Sequence, residues 1–497
     1  MSPVETVNAQ VAPCRRAQVA WAARPIRERL RFVRTLRHSL VDDADELTAA
    51  IHRELGRPPH EALASDVLPF ADACRFLERE AERLLKPRKV SLRSRPIWLW
   101  GQRDTIYRRP HGVVAVIGTW NYPVFLNGVQ MAQALVAGNG VVWKPSEVST
   151  ASAPVLHGLF LRAGFPPDLV QLLPSSREYG PALAEADIDH VVFTGSAATG
   201  QKLATKLGER LVSSTLELSG CDAMFVLPDA DVEMAAKAAW FGMTANNGQT
   251  CIAVRRAFVA REIYPAFVES LQKQVAAAAP MRLATEGQIK QADRLVKDAE
   301  QQGARVLQPA AGPLTDARTT LPRVVADATP AMALNREDCF APLLAVLPVL
   351  DADDAVEQAE KCWYGLGASL FTADPSRATE FAGRIRSGML TVNDVIVPTA
   401  HPATPFGGRG RSGWGVTQGP DGLIGMTVPQ VVSVRGGKFR PHYEPMGSPD
   451  GPTAQVAQGL LAWCHGRTVA MRWKGLWQMV SGIRRNGQLT ERTAPRE

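Results

Sequence analysis

GVVAVIGTWNYP, residues 112–123, sets the reading of this chain. A short apolar run ends in glycine and opens into a small polar loop. A helix-like stretch follows, then GVVW running into WKPSE at 143–147, then a second helix. LVQLL comes next, then HVVF, leading into FTGSAATGQK at 193–202. Apolar runs separated by amphipathic stretches are β-α-β-α order, which predicts a mostly parallel sheet. A second region of this kind starts near Cys221, with AMFVL, RRAFVA, LLAVLPVL, GASLFT and GMLTV as its strands.

Upstream, residues 15–85 read as helices, because Ile26, Leu30, Val33, Leu36 and Leu40 recur three and four apart among arginines. A basic link, KPRKVSLRSRP, leads into IWLWGQRDTIYRR. Downstream, residues 402–421 are rich in Gly and Pro, MTVPQVVSVR reads as a strand, PHYEPMGSPDGPT as a linker, and an amphipathic segment ends the chain. No internal repeat is visible.

The composition is that of an ordinary folded protein, with 497 residues, 45% hydrophobic and 21% charged. That length suits two or three domains and excludes wholesale disorder, collagen and coiled coil. No uncharged apolar run reaches about 18 residues, and the N-terminus lacks an apolar core after a basic start. Neither a spanning helix nor a secretory signal is therefore expected. Seven cysteines at wide spacing, with no C-x-x-C, argue against a disulfide framework or a zinc ribbon, and for a reducing compartment. No metal site is expected.

The net charge of +7 is uneven. Residues 435–497 hold ten basic and four acidic side chains, and residues 83–109 hold nine basic against Asp104 alone. Such segments are either solvated surface or contacts for an anionic surface. No zinc-finger spacing or RNA-binding pattern accompanies them, so no nucleic-acid partner is expected.

Six segments carry candidate chemistry. GTWNYP follows a strand, where α/β proteins place ligands, and its Asn121 offers an amide donor. In WKPSE, Lys144 and Glu147 could hold ribose hydroxyls. FTGSAATGQK is a strand, glycine turn and helix start, a ready phosphate site. It misses G-x-G-x-x-G because Ala197 stands at the second glycine, and misses the P-loop because Gln201 displaces Lys202. An ordinary Rossmann dehydrogenase or ATPase is thus not supported. In LELSGC, Glu217 between apolar neighbours suits a general base with a raised pKa. In NNGQTC, Cys251 on a small polar loop suits a nucleophile. REDCFAP supplies an acidic pair and a ring, Phe340.

In order and spacing these segments resemble the aldehyde dehydrogenase superfamily over roughly residues 15–440. GTWNYP, KPSE, FTGS, the Glu217–Cys251 separation, GQTC, the F-x-P of REDCFAP, and PFGGRGRSGWG at 405–415 carry the likeness. GTWNYP is closest in style to the class-three and fatty-aldehyde branch. The resemblance implies two doubly wound parallel-sheet domains plus a small β oligomerisation arm. It implies a cofactor domain at 1–94 and 111–218, a catalytic domain at 219–420, and the arm at 95–110 and 425–440. Residues 441–497 form a basic amphipathic extension. A homodimer or homotetramer is implied.

It also assigns roles. Cys251 is the nucleophile, Glu217 the base for the hydrolytic water, and Asn121 the oxyanion donor beside the backbone N–H of Cys251. Lys144 and Glu147 meet the adenosine ribose, Gly195 and Ser196 the pyrophosphate, and Asp338 and Phe340 the nicotinamide end. Thr119 and Trp120 also border the cofactor. The implied reaction is oxidation of a lipophilic or aromatic aldehyde to its carboxylate. A glutamate at 217 favours hydrolysis over acyl transfer. Glu147 should repel a 2′-phosphate, which favours NAD, with NADP as a second cofactor. A catalytically idle relative is the competing expectation.

There are departures from the family pattern. Asp338 is one carbon shorter than the usual glutamate, Ser219 and Cys221 alter E-L-G-G-K, and Ala341 replaces the glycine of F-G-P. In the extension, Val469, Trp473, Leu476, Trp477, Val480 and Ile483 form one helical stripe bordered by arginines and Lys474. That pattern suits a membrane interface or packing on protein. The expected location is cytoplasmic, with the stripe packed on the enzyme, at a subunit contact, or in peripheral contact with a membrane.

Overall fold

The structure, a computed structural model, describes residues 1–310, 314, 316–437, 443 and 451–493, with side chains as far as Arg485 at the C-terminal end. Most of the expected linker, at 441, 442 and 444–450, lies outside the described residues. Contacts divide the chain into two units. One is Met1–Lys89 with Thr105–Val432, the other Val90–Asp104 with Ser433–Glu497.

The larger unit is built on two sheets. The first has six strands in the order Gly413–Trp414, Ser213–Leu218, His190–Gly195, Val113–Ile117, Gly140–Lys144, Val170–Leu172. All pair in parallel except the two-residue edge strand, which runs antiparallel to Ser213–Leu218. Side chains alternate between faces along each strand. Val114 and Val116 join one apolar core with the N-terminal helices, while Val113, Ala115 and Ile117 join a second core on the opposite face. Burial on both faces is why these strands read as continuous apolar runs. The Phe125–Ala137 helix that links two of them is buried all round.

The second sheet has seven strands in the order Arg305–Leu307, Arg323–Ala326, Leu343–Val349, Val254–Ala260, Asp222–Val226, Gly367–Phe371, Met389–Val392. It is parallel except at its Arg305–Leu307 edge. It too carries a core on each face. The architecture is therefore the α/β, parallel-sheet one expected. The helical start reaches further back than residue 15. Ser2 caps a helix over Pro3–Ala23, its Oγ accepting from the Glu5 N–H while Glu5 Oε2 accepts from the Ser2 N–H.

A small third sheet orders Arg88–Lys89, Gln102–Pro110 and Thr427–Arg435. The long middle strand begins at Gln102, not at 95. Pro96 leads into a 3-10 turn at Ile97–Leu99, and Gly101 at φ +82° redirects the chain. The smaller unit holds an antiparallel pair of consecutive helices, Pro452–His465 and Val469–Thr493, joined by a three-residue connection. Among the described residues no helix is long and apolar enough to cross a membrane.

Candidate active site

Strand ends place the site. Register sets Ile117 beside Lys144 and Phe193, and Gly195 beside Leu218. The loops at Gly118–Asn121, Lys144–Glu147 and Gly195–Ser196, and the end of the Glu217 strand, therefore share the carboxyl edge of the first sheet, where doubly wound folds bind ligands. The chain then crosses at Leu218–Asp222 to the amino edge of the second sheet. That edge carries Cys251 before the Val254 strand and Asp338–Phe340 before the Leu343 strand.

The loop before Cys251 is tightly wound. Asn246, Asn247 and Gly248 take positive φ in succession, at +52°, +57° and +75°. Asparagine tolerates this region and glycine favours it. A Cβ on Gly248 would lie 2.4 Å from the Ala341 carbonyl carbon and the Pro342 nitrogen. That close approach joins the two loops of the second sheet. Arg255, buried, reinforces the joint by donating to the carbonyls of Ala341 and Gly248.

Asn121 is buried and its amide is oriented from both ends. The Thr119 hydroxyl donates to Oδ1 at 2.8 Å, and Nδ2 donates to the Gln249 carbonyl at 3.1 Å. That leaves one amide N–H for a ligand, beside the Gln249 carbonyl two residues before Cys251. Thr119 is thus committed to holding Asn121. Its own N–H donates to Asn127 Oδ1.

Glu217 is buried, as its apolar neighbours suggested. Oε2 accepts from the Thr417 hydroxyl at 3.3 Å, and Oε1 has no partner among the described residues. Burial, only partly offset by Thr417, pushes its pKa up to about 7. Cys251 is half-buried. Burial raises its thiol pKa well above the usual value, and the charges of Glu217 and Asp222 raise it further. Glu217 is thus the carboxylate whose charge acts most strongly on the nucleophile.

Lys144 is buried at its strand end, with Nζ 3.9 Å from Glu147 Oε2. Burial lowers its pKa, against the pull of Glu147. The other oxygen of Glu147 is held by Arg177, an exposed residue that the sequence did not single out. Gly195 ends its strand where a Cβ would lie 2.5 Å from the Phe193 ring. Ser196 caps the Ala197–Glu209 helix, accepting from the Thr199 N–H at 3.3 Å. Trp120 and Phe340 stand 6.1 Å apart between ring centroids, tilted by 60°. Asp338 Oδ1 accepts from the Tyr364 hydroxyl at 3.1 Å.

The departures find local explanations. Ser219 is buried, its carbonyl accepting from Ser412 Oγ at 2.8 Å. Gly220 is retained where a Cβ would lie 2.5 Å from the Cys251 carbonyl. The Cys221 thiol sits in the core cluster with Cys362 and Tyr364, its sulfur 3.8 Å from the Leu334 carbonyl.

Sequence reasoning missed a buried charge pair beneath the site. Arg57 pairs with Asp66 at 2.5 Å. The same guanidinium donates to Asn246 Oδ1 at 3.0 Å and to the Asn121 carbonyl, and lies 4.9 Å from the Tyr122 ring centroid. Asp66 in turn accepts from the Val124 and Phe125 N–H groups at 2.9 Å. One pair therefore ties the Asn121 loop to the Cys251 loop.

A family model described as the aldehyde dehydrogenase family matches residues 2–432. The chain belongs to the aldehyde dehydrogenase family. It is 34% identical to a 4,4′-diapolycopene aldehyde oxidase from Methylomonas sp, over 85% of this chain and 80% of the relative. Among solved aldehyde dehydrogenases, the Mycobacterium tuberculosis enzyme complexed with NAD+ superposes with a TM-score of 0.81 at 28% identity, covering 90% of this chain and 91% of that one. The NADP-dependent glyceraldehyde-3-phosphate dehydrogenase of Bacillus halodurans C-125, complexed with NADP, gives 0.80 at 29% identity, with 87% and 91% covered.

Proposed function

We propose that this aldehyde dehydrogenase oxidises a lipophilic or aromatic aldehyde to its carboxylate, using NAD and, as a second acceptor, NADP, and releases the acid by hydrolysis. Glu217 carries the reading. It is a buried carboxyl with one free oxygen, a pKa near neutrality, and a charge that acts on the Cys251 thiol.

The residues fit a dinucleotide. Gly195 leaves backbone bare before the exposed Ser196 cap, and the Ala197–Glu209 helix start offers N–H groups to a pyrophosphate. Lys144 and Glu147 form a polar pair suited to the adenosine ribose. Asp338 and Phe340, with Thr119 and Trp120 opposite, would border the nicotinamide end. When bound, the nicotinamide supplies the hydride acceptor. Support for either cofactor comes from the NAD+ and NADP complexes of the relatives.

Cys251, once deprotonated, attacks the aldehyde carbon and forms a thiohemiacetal. The developing oxyanion takes the free Asn121 N–H and the backbone N–H of Cys251, each such donor worth about 3 kcal/mol in the transition state. Loss of hydride leaves a thioester on Cys251. Glu217 takes a proton from water, the hydroxyl adds to the thioester carbon, and the acid departs as the thiolate is restored. A carboxyl with pKa near 7 is matched to that task at neutral pH.

The first sheet with residues 1–94 then serves as the cofactor domain, and residues 219–420 as the catalytic domain. The arm at 95–110 and 425–440 joins protomers into a dimer or tetramer. Support for the last point is the Thr427–Arg435 strand, which lies at a sheet edge with Val428, Val431, Val432 and Val434 exposed. All seven cysteines are free, which suits a cytoplasmic, reducing setting. The name of the Methylomonas relative, with its 4,4′-diapolycopene aldehyde, supports a lipophilic substrate.

NADH formation over a panel of aldehydes graded in chain length and aromaticity tests the reading. Cys251→Ala should give no turnover, and Glu217→Gln a single burst of NADH without steady-state rate. Steady turnover by Cys251→Ala would overturn the assignment.

A further inference from the structure

The smaller unit has an inverted hairpin. In water, two consecutive packed helices bury their large apolar side chains against each other and turn polar ones outward. Here glycines fill the contact. A Cβ on Gly459 would lie 2.6 Å from the Gly475 carbonyl oxygen, and one on Gly475 would lie 2.6 Å from the Gly459 carbonyl oxygen. Gly482 closes the same seam, with a Cβ there 2.9 Å from the Pro452 carbonyl. The two backbones touch, as small residues permit in helix pairs.

Several large apolar side chains point the other way, although Val456, Leu460, Trp463 and Leu476 are half-buried. At 100° per residue, Trp473 and Trp477 lie about half a turn round their helix from Gly475. They are 60% and 68% exposed, Val469 on the same side is 71% exposed, and Leu461 on the partner helix is 65% exposed. A surface-exposed Trp pair beside aliphatic residues is an apolar face awaiting an occupant.

Charge selects the occupant. The unit of residues 90–104 and 433–497 holds thirteen basic and five acidic side chains, a net of +8, while the remaining 43 basic and 44 acidic residues nearly cancel. All the net positive charge of the chain is in this unit. Arg467, Arg472, Lys474, Arg484 and Arg485 flank the Trp face and are exposed, and among the described residues none forms an ion pair with a carboxylate. Interfacial tryptophans flanked by cations that have no carboxylate partner among the described residues, on helices too polar to span, match a surface of anionic lipid headgroups.

We propose that the hairpin of Pro452–His465 and Val469–Thr493 is a membrane-surface dock. The Trp473/Trp477 face lies in the boundary between headgroups and acyl chains, and the flanking cations meet anionic headgroups. The dock does not depend on the aldehyde chemistry proposed above.

The test uses the full chain with sedimented vesicles of phosphatidylcholine, alone or with one third phosphatidylglycerol. Wild type should pellet with the anionic vesicles, and high salt should release most of it. Trp473→Ser with Trp477→Ser should weaken partition by at least about tenfold. Arg467→Gln, Lys474→Gln and Arg484→Gln together should weaken it by about a hundredfold, at roughly a factor of five per charge. Both variants should keep the wild-type melting temperature and elution volume, which separates lost docking from lost folding.

Failure of wild type to pellet with anionic vesicles would overturn the proposal, as would equal pelleting of the Trp variant. A third outcome also overturns it: wild type elutes as an oligomer, the Trp variant as a smaller species, and neither binds vesicles. That result would assign the face to a second copy of the chain.

Discussion

Glu217 is balanced between two costs. Ionised, it is a buried charge with one weak donor; protonated, it cannot take a proton from water. With its pKa moved from 4.5 to about 7, the folded protein holds a proton that the unfolded chain has released between those values. Stability from this group is therefore full below pH 4.5 and is lost as pH rises through about 7. Glu217→Gln should then match wild type in thermal melting near pH 4.5 and exceed it at pH 8, by up to roughly 3 kcal/mol. The same titration should give wild-type hydrolysis a rising limb centred near pH 7 that the variant lacks. Equal melting curves at pH 8 would show that Glu217 is not raised. Arg177 makes a second residue-scale case. Paired with Glu147, it places a cation where a carboxylate alone would repel a 2′-phosphate. Arg177→Ala should raise the KM for NADP on the order of tenfold, the value of one charge-assisted hydrogen bond, and move the KM for NAD by less than about twofold. Parallel steady-state titrations with the two cofactors decide it.

Among elements, the loops of the site are held by groups far apart in sequence. Arg57 reaches Asn121 and Asn246, 64 and 189 residues on, through one guanidinium. Removing one member of a buried ion pair costs about 3–5 kcal/mol, because the other is left uncompensated. Arg57→Met should therefore lower the melting temperature and, because the Asn121 and Asn246 contacts go with it, slow the first NADH burst. Arg57→Lys should restore charge but not the fork, and recover the melting temperature more than the burst. Equal recovery of both would make the role purely structural. This pair was invisible in the sequence, since a lone arginine between Gly56 and Pro58 has no local pattern. The central strands were legible for the opposite reason. Val113–Ile117 and Gly140–Lys144 are buried on both faces, so composition alone marks them. The edge strands Arg305–Leu307 and Gly413–Trp414 have two or three residues and no alternation to read. Glu217 was legible in place and in the direction of its pKa, since its apolar neighbours predicted a raised value. Its partner was not legible, because the Thr417 hydroxyl that binds it comes from 200 residues away.

At the scale of the molecule, apolar burial is distributed unequally. All five clusters of buried apolar side chains lie within Met1–Lys89 and Thr105–Val432. Among the described residues the smaller unit contributes to none of them, and glycine backbone forms much of the hairpin seam, which limits the apolar surface it buries. Folding free energy that scales with buried apolar area should therefore reside almost wholly in the larger unit. A chain ended after Gly451 should melt within a few degrees of the full chain and keep its kcat for a soluble aldehyde. It should also carry a net charge of +2 in place of +7, because residues 452–497 hold seven basic and two acidic side chains, and so elute earlier than the full chain from a cation-exchange column. Loss of the cooperative melting transition on truncation would mean that the hairpin completes the enzyme's core. Retention of melting and turnover would instead make the last 46 residues an appendage whose selection rests on what its exposed tryptophans touch.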